Sequence, residues 1–152
     1  MDKDQAKTLF ESCDQDGSGY VDKEEFITMM FKHFKIEGEN EQISSILDDI
    51  FTMVDGKGLF NRKNGKLNFK EFYNVVSLLP EKFVSPMRSC VYVLFRLVDK
   101  DNSGDVSRKE LKTYFSKIGV EMKSKELKDL VGKLDKDGSN EIEFEEFMSL
   151  FN

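Results

Sequence analysis

The sequence has no tryptophan, and among its 152 residues only two prolines, two cysteines and one histidine. Each shortage excludes something. The prolines stand close together, at 80 and 86, so long stretches on either side are free of helix breakers and one interruption divides them. Cys13 and Cys90 lie far apart and follow neither a zinc-ligand spacing nor a disulfide framework. They read as reduced, buried thiols of a cytosolic-type compartment, with a redox pair as the lesser alternative. His33 sits in a Phe-rich apolar stretch with no nucleophile pattern around it, which leaves little for acid–base or covalent catalysis, and the chain reads as a non-enzyme. No apolar run approaches the roughly 18 to 20 residues that cross a bilayer. The first residues, Met1 to Gln5, have no secretory apolar core and no second-position glycine for myristoylation. The expectation is a soluble chain without membrane insertion, cytoplasmic and able to enter the nucleus.

What is present is charge and phenylalanine. The chain is 34% charged and 39% hydrophobic, with fourteen Phe, a composition that folds around an aromatic core and does not stay disordered. The net charge of −6 argues against nucleic-acid binding and against anchoring on anionic membranes, and it suits cations and basic partners.

Residues 14–25 read D-Q-D-G-S-G-Y-V-D-K-E-E. Oxygen-bearing side chains fall at the first, third, fifth, ninth and twelfth places, a glycine at the sixth and a β-branched residue at the eighth. A hard divalent cation takes about six to eight oxygens at about 2.3–2.6 Å, and a twelve-residue loop of this spacing can wrap one calcium ion. Asp14, Asp16 and Ser18 offer side-chain oxygens, Tyr20 its carbonyl, Asp22 a bridging water, and Glu25 both carboxylate oxygens. Gly19 supplies the sharp turn. Apolar residues at helical spacing precede the loop (Ala6, Leu9, Phe10, Cys13) and follow it (Phe26 to Phe34), with the second helix ending before Gly38.

The unit recurs. Residues 99–110, D-K-D-N-S-G-D-V-S-R-K-E, place Asp99, Asp101, Ser103, the Asp105 carbonyl and Glu110 on the same ligand places, with Gly104 at the turn. Residues 135–146, D-K-D-G-S-N-E-I-E-F-E-E, do so with Asp135, Asp137, Ser139, the Glu141 carbonyl and Glu146, and Glu143 stands at the ninth place. Here Asn140 replaces the turn glycine, and asparagine is the side chain most tolerant of the left-handed region. Ser124 is the expected cap of the helix entering this loop.

The second loop departs from the pattern. Counting back from Glu71 puts Phe60 and Arg62 on ligand places. Starting at Asp55 makes the loop seventeen residues long, with Lys57, Arg62 and Lys63 in the excess. The added positive charge repels a cation, so this site reads as silent or weak, with a structural job that survives the loss.

Four helix-loop-helix units of roughly 30 to 40 residues form an internal repeat, which fixes the fold class more firmly than propensity does. A lone loop of this kind has the alternative reading of an Asx-rich surface turn, but three complete ones do not. Val21, Leu67, Val106 and Ile142 occupy the eighth places, and such residues favour short extended bridges that join the first loop to the second and the third to the fourth. The expectation is an all-α chain of four such units in two paired lobes, residues 1–79 and 87–152, with short β bridges between loops and a proline-bounded linker at 80–86.

With these motifs the chain resembles the calmodulin and troponin C superfamily of EF-hand proteins, over essentially its whole length. The resemblance implies calcium at three loops, two lobes, and regulation of other proteins by binding them. Magnesium is the other ion these oxygens accept at rest. A sensor of this kind would open a groove when the twelfth-place glutamates swing inward, and Met29, Met30, Met53, Met87, Met122 and Met148 are candidates to line it or simply to fill core. The expected partner is a target protein presenting an amphipathic basic helix, met by a chain that is monomeric when free. A calcium buffer and a light-chain-like subunit clamped on a helix are the alternatives.

Overall fold

The computed structural model describes residues 2–55, 65–80 and 85–151. They form helices α1 (Lys3–Cys13), α2 (Lys23–His33), α3 (Glu41–Val54), α4 (Phe69–Val76), α5 (Pro86–Val98), α6 (Arg108–Lys117), α7 (Ser124–Leu134) and α8 (Phe144–Met148), the last followed by one 3-10 turn at Ser149–Phe151. Between them lie four two-residue strands, β1 (Val21–Asp22), β2 (Lys66–Leu67), β3 (Val106–Ser107) and β4 (Glu141–Ile142). The chain is therefore all-α with two small antiparallel bridges, β1 with β2 and β3 with β4. Their registers pair Val21 with Leu67 and Val106 with Ile142, the eighth-place residues the sequence singles out.

Local chemistry starts most of the helices. Asp2 and Gln5 form a reciprocal capping box at α1, and Asp22 with Glu25, Asn68 with Glu71, and Ser107 with Glu110 do the same at α2, α4 and α6. The ninth loop residue is thus the helix cap and the twelfth its third residue, so a loop's last residues and the next helix's first turn are one structure. Helix ends are set locally as well. α2 closes at His33, where Lys35 takes the left-handed conformation (φ 55°) and the Ile36 amide donates to the Phe31 carbonyl at 2.9 Å. Gly38 lies beyond that closure. At α7, Ser124 is the first helical residue and Lys123 takes the cap position without a side-chain hydrogen bond, a one-residue offset of the kind that periodicity alone does not resolve.

The chain divides into two compact units, Met1–Val93 and Leu94–Asn152, with the division inside α5. Of the expected linker at 80–86, residues 81–84 lie outside the described residues. In the first unit α1 lies against α4 and α2 against α3. Phe26, Met30, Ile46, Leu47, Ile50 and Phe72 are fully buried there. In the second unit Leu94, Leu111, Ile142 and Phe147 are. The two cores repeat one arrangement of rings. Phe10, four residues before the first loop, meets Phe69 and Phe72 edge-on at 5.6 and 5.3 Å. Phe95, four residues before the third loop, meets Phe144 and Phe147 edge-on at 5.6 and 5.4 Å. Edge-to-face rings add about 0.5–1.5 kcal/mol beyond their buried area. These rings bracket Glu71 and Glu146 in sequence, so the helix leaving each second loop is fastened to the helix entering each first one. Lys23 at the start of α2 reaches Asp48 on α3 at 2.8 Å. That oxygen takes no well-aligned hydrogen bond, so the contact is an ion pair held by charge, and with both side chains about half exposed it contributes little stability.

Candidate metal centres

Three loops draw their acidic side chains together. Asp14, Asp16 and Glu25 each bring a carboxylate oxygen within 4.8 Å of the other two, as do Asp99, Asp101 and Glu110, and Asp135, Asp137 and Glu146. The same hydrogen bonds hold each cluster. One oxygen of the first aspartate accepts from the fifth-place serine, amide and hydroxyl, and its other oxygen accepts from the sixth-place amide: Gly19 to Asp14 at 2.7 Å, Gly104 to Asp99 at 2.9 Å, Asn140 to Asp135 at 2.6 Å. The third-place aspartates Asp16, Asp101 and Asp137 also accept from the serine amides. The serine hydroxyls of Ser18, Ser103 and Ser139 donate to the seventh-place carbonyls of Tyr20, Asp105 and Glu141 at 3.1, 2.8 and 3.0 Å. In each of the three loops the fifth-place serine thus links the acidic cluster to the seventh-place carbonyl.

The twelfth-place glutamates tie the two ends of each loop. Glu25 Oε1 accepts from the Asp22 amide at 3.0 Å and its Oε2 from the Gln15 amide at 3.1 Å. Glu110 spans the Ser107 and Lys100 amides at 2.9 and 2.8 Å, and Glu146 the Glu143 and Lys136 amides at 2.9 and 2.7 Å. One carboxylate on the first turn of the leaving helix thus touches the start of the loop. The turn conformation agrees: Gly19, Gly104 and Asn140 have φ of 82°, 92° and 65°, so asparagine occupies the left-handed position that its sequence place requires.

The carboxyl groups are shifted in both directions by their close contacts. Asp16 and Asp101 are held below the usual range chiefly by the Ser18 and Ser103 hydroxyls. Asp137 is pulled down to about 2, first by its contact with Asp135, and Glu143 is pushed up because its carboxyl lies against that of Asp137. Asp99, only 2% exposed, is raised by desolvation. Like charges this close destabilise one another, and an all-oxygen, mostly carboxylate set suits a hard divalent cation rather than a softer metal. The donor set fits calcium, which would supply the positive charge that lets the carboxylates remain ionised side by side.

The second loop is readable at its ends. Gly65 donates its amide to Asp55 Oδ2 at 2.8 Å, the bond that joins sixth place to first in the other loops. That bond settles the two sequence counts: Asp55 is the first place, Gly65 the sixth, and Phe60 is not a ligand place. Gly65 has φ 74°, and Asn68 and Glu71 exchange the capping-box bonds at 3.0 and 2.8 Å. Residues 56–64, which include the excess, lie outside the described residues. The chain has no acidic residue between Asp55 and Glu71.

Sequence reasoning placed Phe69, Phe72, Phe144 and Phe147 on the apolar helices that leave the second and fourth loops but missed their ring contacts with Phe10 and Phe95. Their repeat at matching loop positions was the available signal. His33 lies edge-on to Phe34 at 5.0 Å, and partial desolvation lowers its pKa even though its surface is open. Both cysteines are free and buried. Among the described residues no helix is long and apolar enough to cross a membrane.

A family model for the EF-hand domain pair matches residues 3–77 and again 90–152. The chain belongs to the EF-hand family, as a calcium-binding protein of the troponin C and calmodulin-like type. It is 26% identical to troponin C, isoform 1, of Balanus nubilus over 154 residues, covering 99% of this chain and 91% of that one. It is 26% identical to calcium-binding protein CML19 of Arabidopsis thaliana over 147 residues (95% and 79%) and 27% identical to the 16 kDa calcium-binding protein of Schistosoma mansoni over 143 residues (93% and 89%). Two of these relatives are named as calcium-binding proteins and the third as a troponin C.

Proposed function

We propose that the protein is a calcium sensor with three ion sites, which opens apolar surface on loading and regulates target proteins by receiving an amphipathic basic helix. The observation that carries the reading is the placement of Glu25, Glu110 and Glu146, each fixed to the first turn of a leaving helix and touching the start of its loop. A carboxylate so placed transmits any change at the ion cage to the angle between two helices. Asp14, Asp16, Ser18, Tyr20 and Glu25 would hold one ion, with Asp99, Asp101, Ser103, Asp105 and Glu110, and Asp135, Asp137, Ser139, Glu141 and Glu146, as the other two sets. Loop two would hold no strong ion and act as a strut, with lobes at 1–79 and 87–152.

Apolar surface is available to be exposed. Met29, Met30, Met53 and Met148 are buried, and Met87 and Met122 are partly so. A groove of about 670 Å³ runs between α1 and α2, where Leu9, Cys13 and Met29 lie among polar walls that include Gln15, Glu24, Glu25 and Lys32. The acidic surface favours a basic target.

Calorimetry of the metal-free chain is expected to find three calcium sites, with Glu25→Gln, Glu110→Gln and Glu146→Gln each removing one. A fourth strong site surviving the triple variant would overturn the reading of loop two. A dye that fluoresces on apolar surface should brighten as calcium is added. An unchanged signal with three filled sites would make the protein a buffer.

A further inference from the structure

The two loop pairs differ in the charge that faces the first loop of each. Across the β1–β2 bridge, Asp22 stands opposite Lys66, and across β3–β4, Ser107 stands opposite Glu141. Lys66 is exposed, and its ammonium lies 5.8 Å from the centre of the Tyr20 ring, a cation–π arrangement that keeps the charge beside loop one. Tyr20 is the residue whose carbonyl accepts from Ser18 inside the cage. The surrounding sequence repeats the contrast: residues 55–71 carry five Lys or Arg against two acidic residues, whereas residues 135–146 carry one Lys against six.

From this we infer that Lys66 sets the calcium affinity of the first loop by its charge, holding it weaker than the same twelve residues would be beside an acidic partner loop. The inference rests on the calcium reading of loop one and adds a residue from outside that loop. Facing side chains on a two-stranded bridge have Cβ atoms about 4.5–5.5 Å apart, which puts the ammonium on the order of 10 Å from the ion cage. At that separation a unit charge acting on a divalent ion across water changes binding about two- to fivefold at low salt, and less once the Debye length falls below the distance. Glu141, facing loop three, has the opposite sign.

The test is calcium titration of the full chain in a Glu110→Gln, Glu146→Gln background, so that loop one titrates alone. Lys66→Gln should tighten binding about two- to fivefold at low salt and Lys66→Glu more, while Lys66→Arg stays near the starting affinity. The gain should fall towards nothing at about 1 M salt, where the Debye length is about 3 Å. A gain indifferent to salt, or no gain from Lys66→Gln while loop one still binds calcium, would overturn the inference. Following the Gly19 amide by NMR in the otherwise unaltered chain gives the same comparison without the background substitutions, since that amide donates directly to Asp14. If loop one binds no calcium in either setting, the calcium reading of that loop fails, an outcome distinct from binding that ignores Lys66.

Discussion

Asn140 is the residue at which a single φ angle decides how well a site closes. It stands at φ 65° and donates its amide to Asp135 at 2.6 Å, so the left-handed conformation and the cage bond come together. A β-branched side chain there costs about 1–2 kcal/mol. The loop must hold this angle when it closes on an ion and can relax without one, so the cost emerges as affinity. Asn140→Val is expected to weaken the fourth loop about five- to thirtyfold, about tenfold per 1.4 kcal/mol, leaving loops one and three unchanged in calorimetry, whereas Asn140→Gly should not weaken it. The cysteines give a second test at this scale. Burial pushes the Cys90 thiol up to about 12 and raises Cys13 as well. The reactive thiolate is therefore scarce at neutral pH. A thiol reagent at pH 8 should label neither quickly in the native chain and both after unfolding, and rapid native labelling of Cys90 would contradict its burial.

At the scale of elements, the repeated triplets of rings make the helices of a pair depend on each other. Phe72 and Phe147 are fully buried, and Phe69 is only partly so. Phe→Ala at a buried site costs about 3–5 kcal/mol. Phe72→Ala and Phe147→Ala should each lower stability by about that amount in urea titrations of the metal-free chain, with Phe69→Ala costing less. Since Phe72 packs on Phe10 of α1, its loss should also weaken calcium binding at loop one, although Phe72 is no ligand. Undisturbed binding there would mean that α4 does not support the first loop. The capping boxes contribute the other half of this coupling, because Glu25, Glu71 and Glu110 begin their helices with the side chains that face the loops.

For the whole molecule the relevant quantity is charge. The chain carries −6, and three divalent ions would bring it formally to zero. Calcium loading should therefore slow migration toward the anode in native electrophoresis, with Glu25→Gln, Glu110→Gln, Glu146→Gln together abolishing the shift. A chain near neutrality also loses the mutual repulsion that keeps molecules apart, so the loaded protein is expected to be less soluble than the metal-free one unless a target covers its opened surface.

The sequence by itself determined the repeat, the all-helical class and the places of the three complete loops with their acidic clusters, because ligand spacing and helical periodicity are local and survive without a third dimension. It also placed the bridges, since the eighth-place residues 21, 106 and 142 are fixed by counting within the complete loops and residue 67 by counting back from Glu71. Only the tertiary structure decided where loop two begins, because two counts were open and the choice rests on one hydrogen bond between Gly65 and Asp55, residues ten apart. It alone set Phe10 against Phe69 and Phe72, and Lys66 beside Tyr20. Those contacts join residues distant in sequence, and their partners are chosen by how helices and loops come together, which no local pattern records.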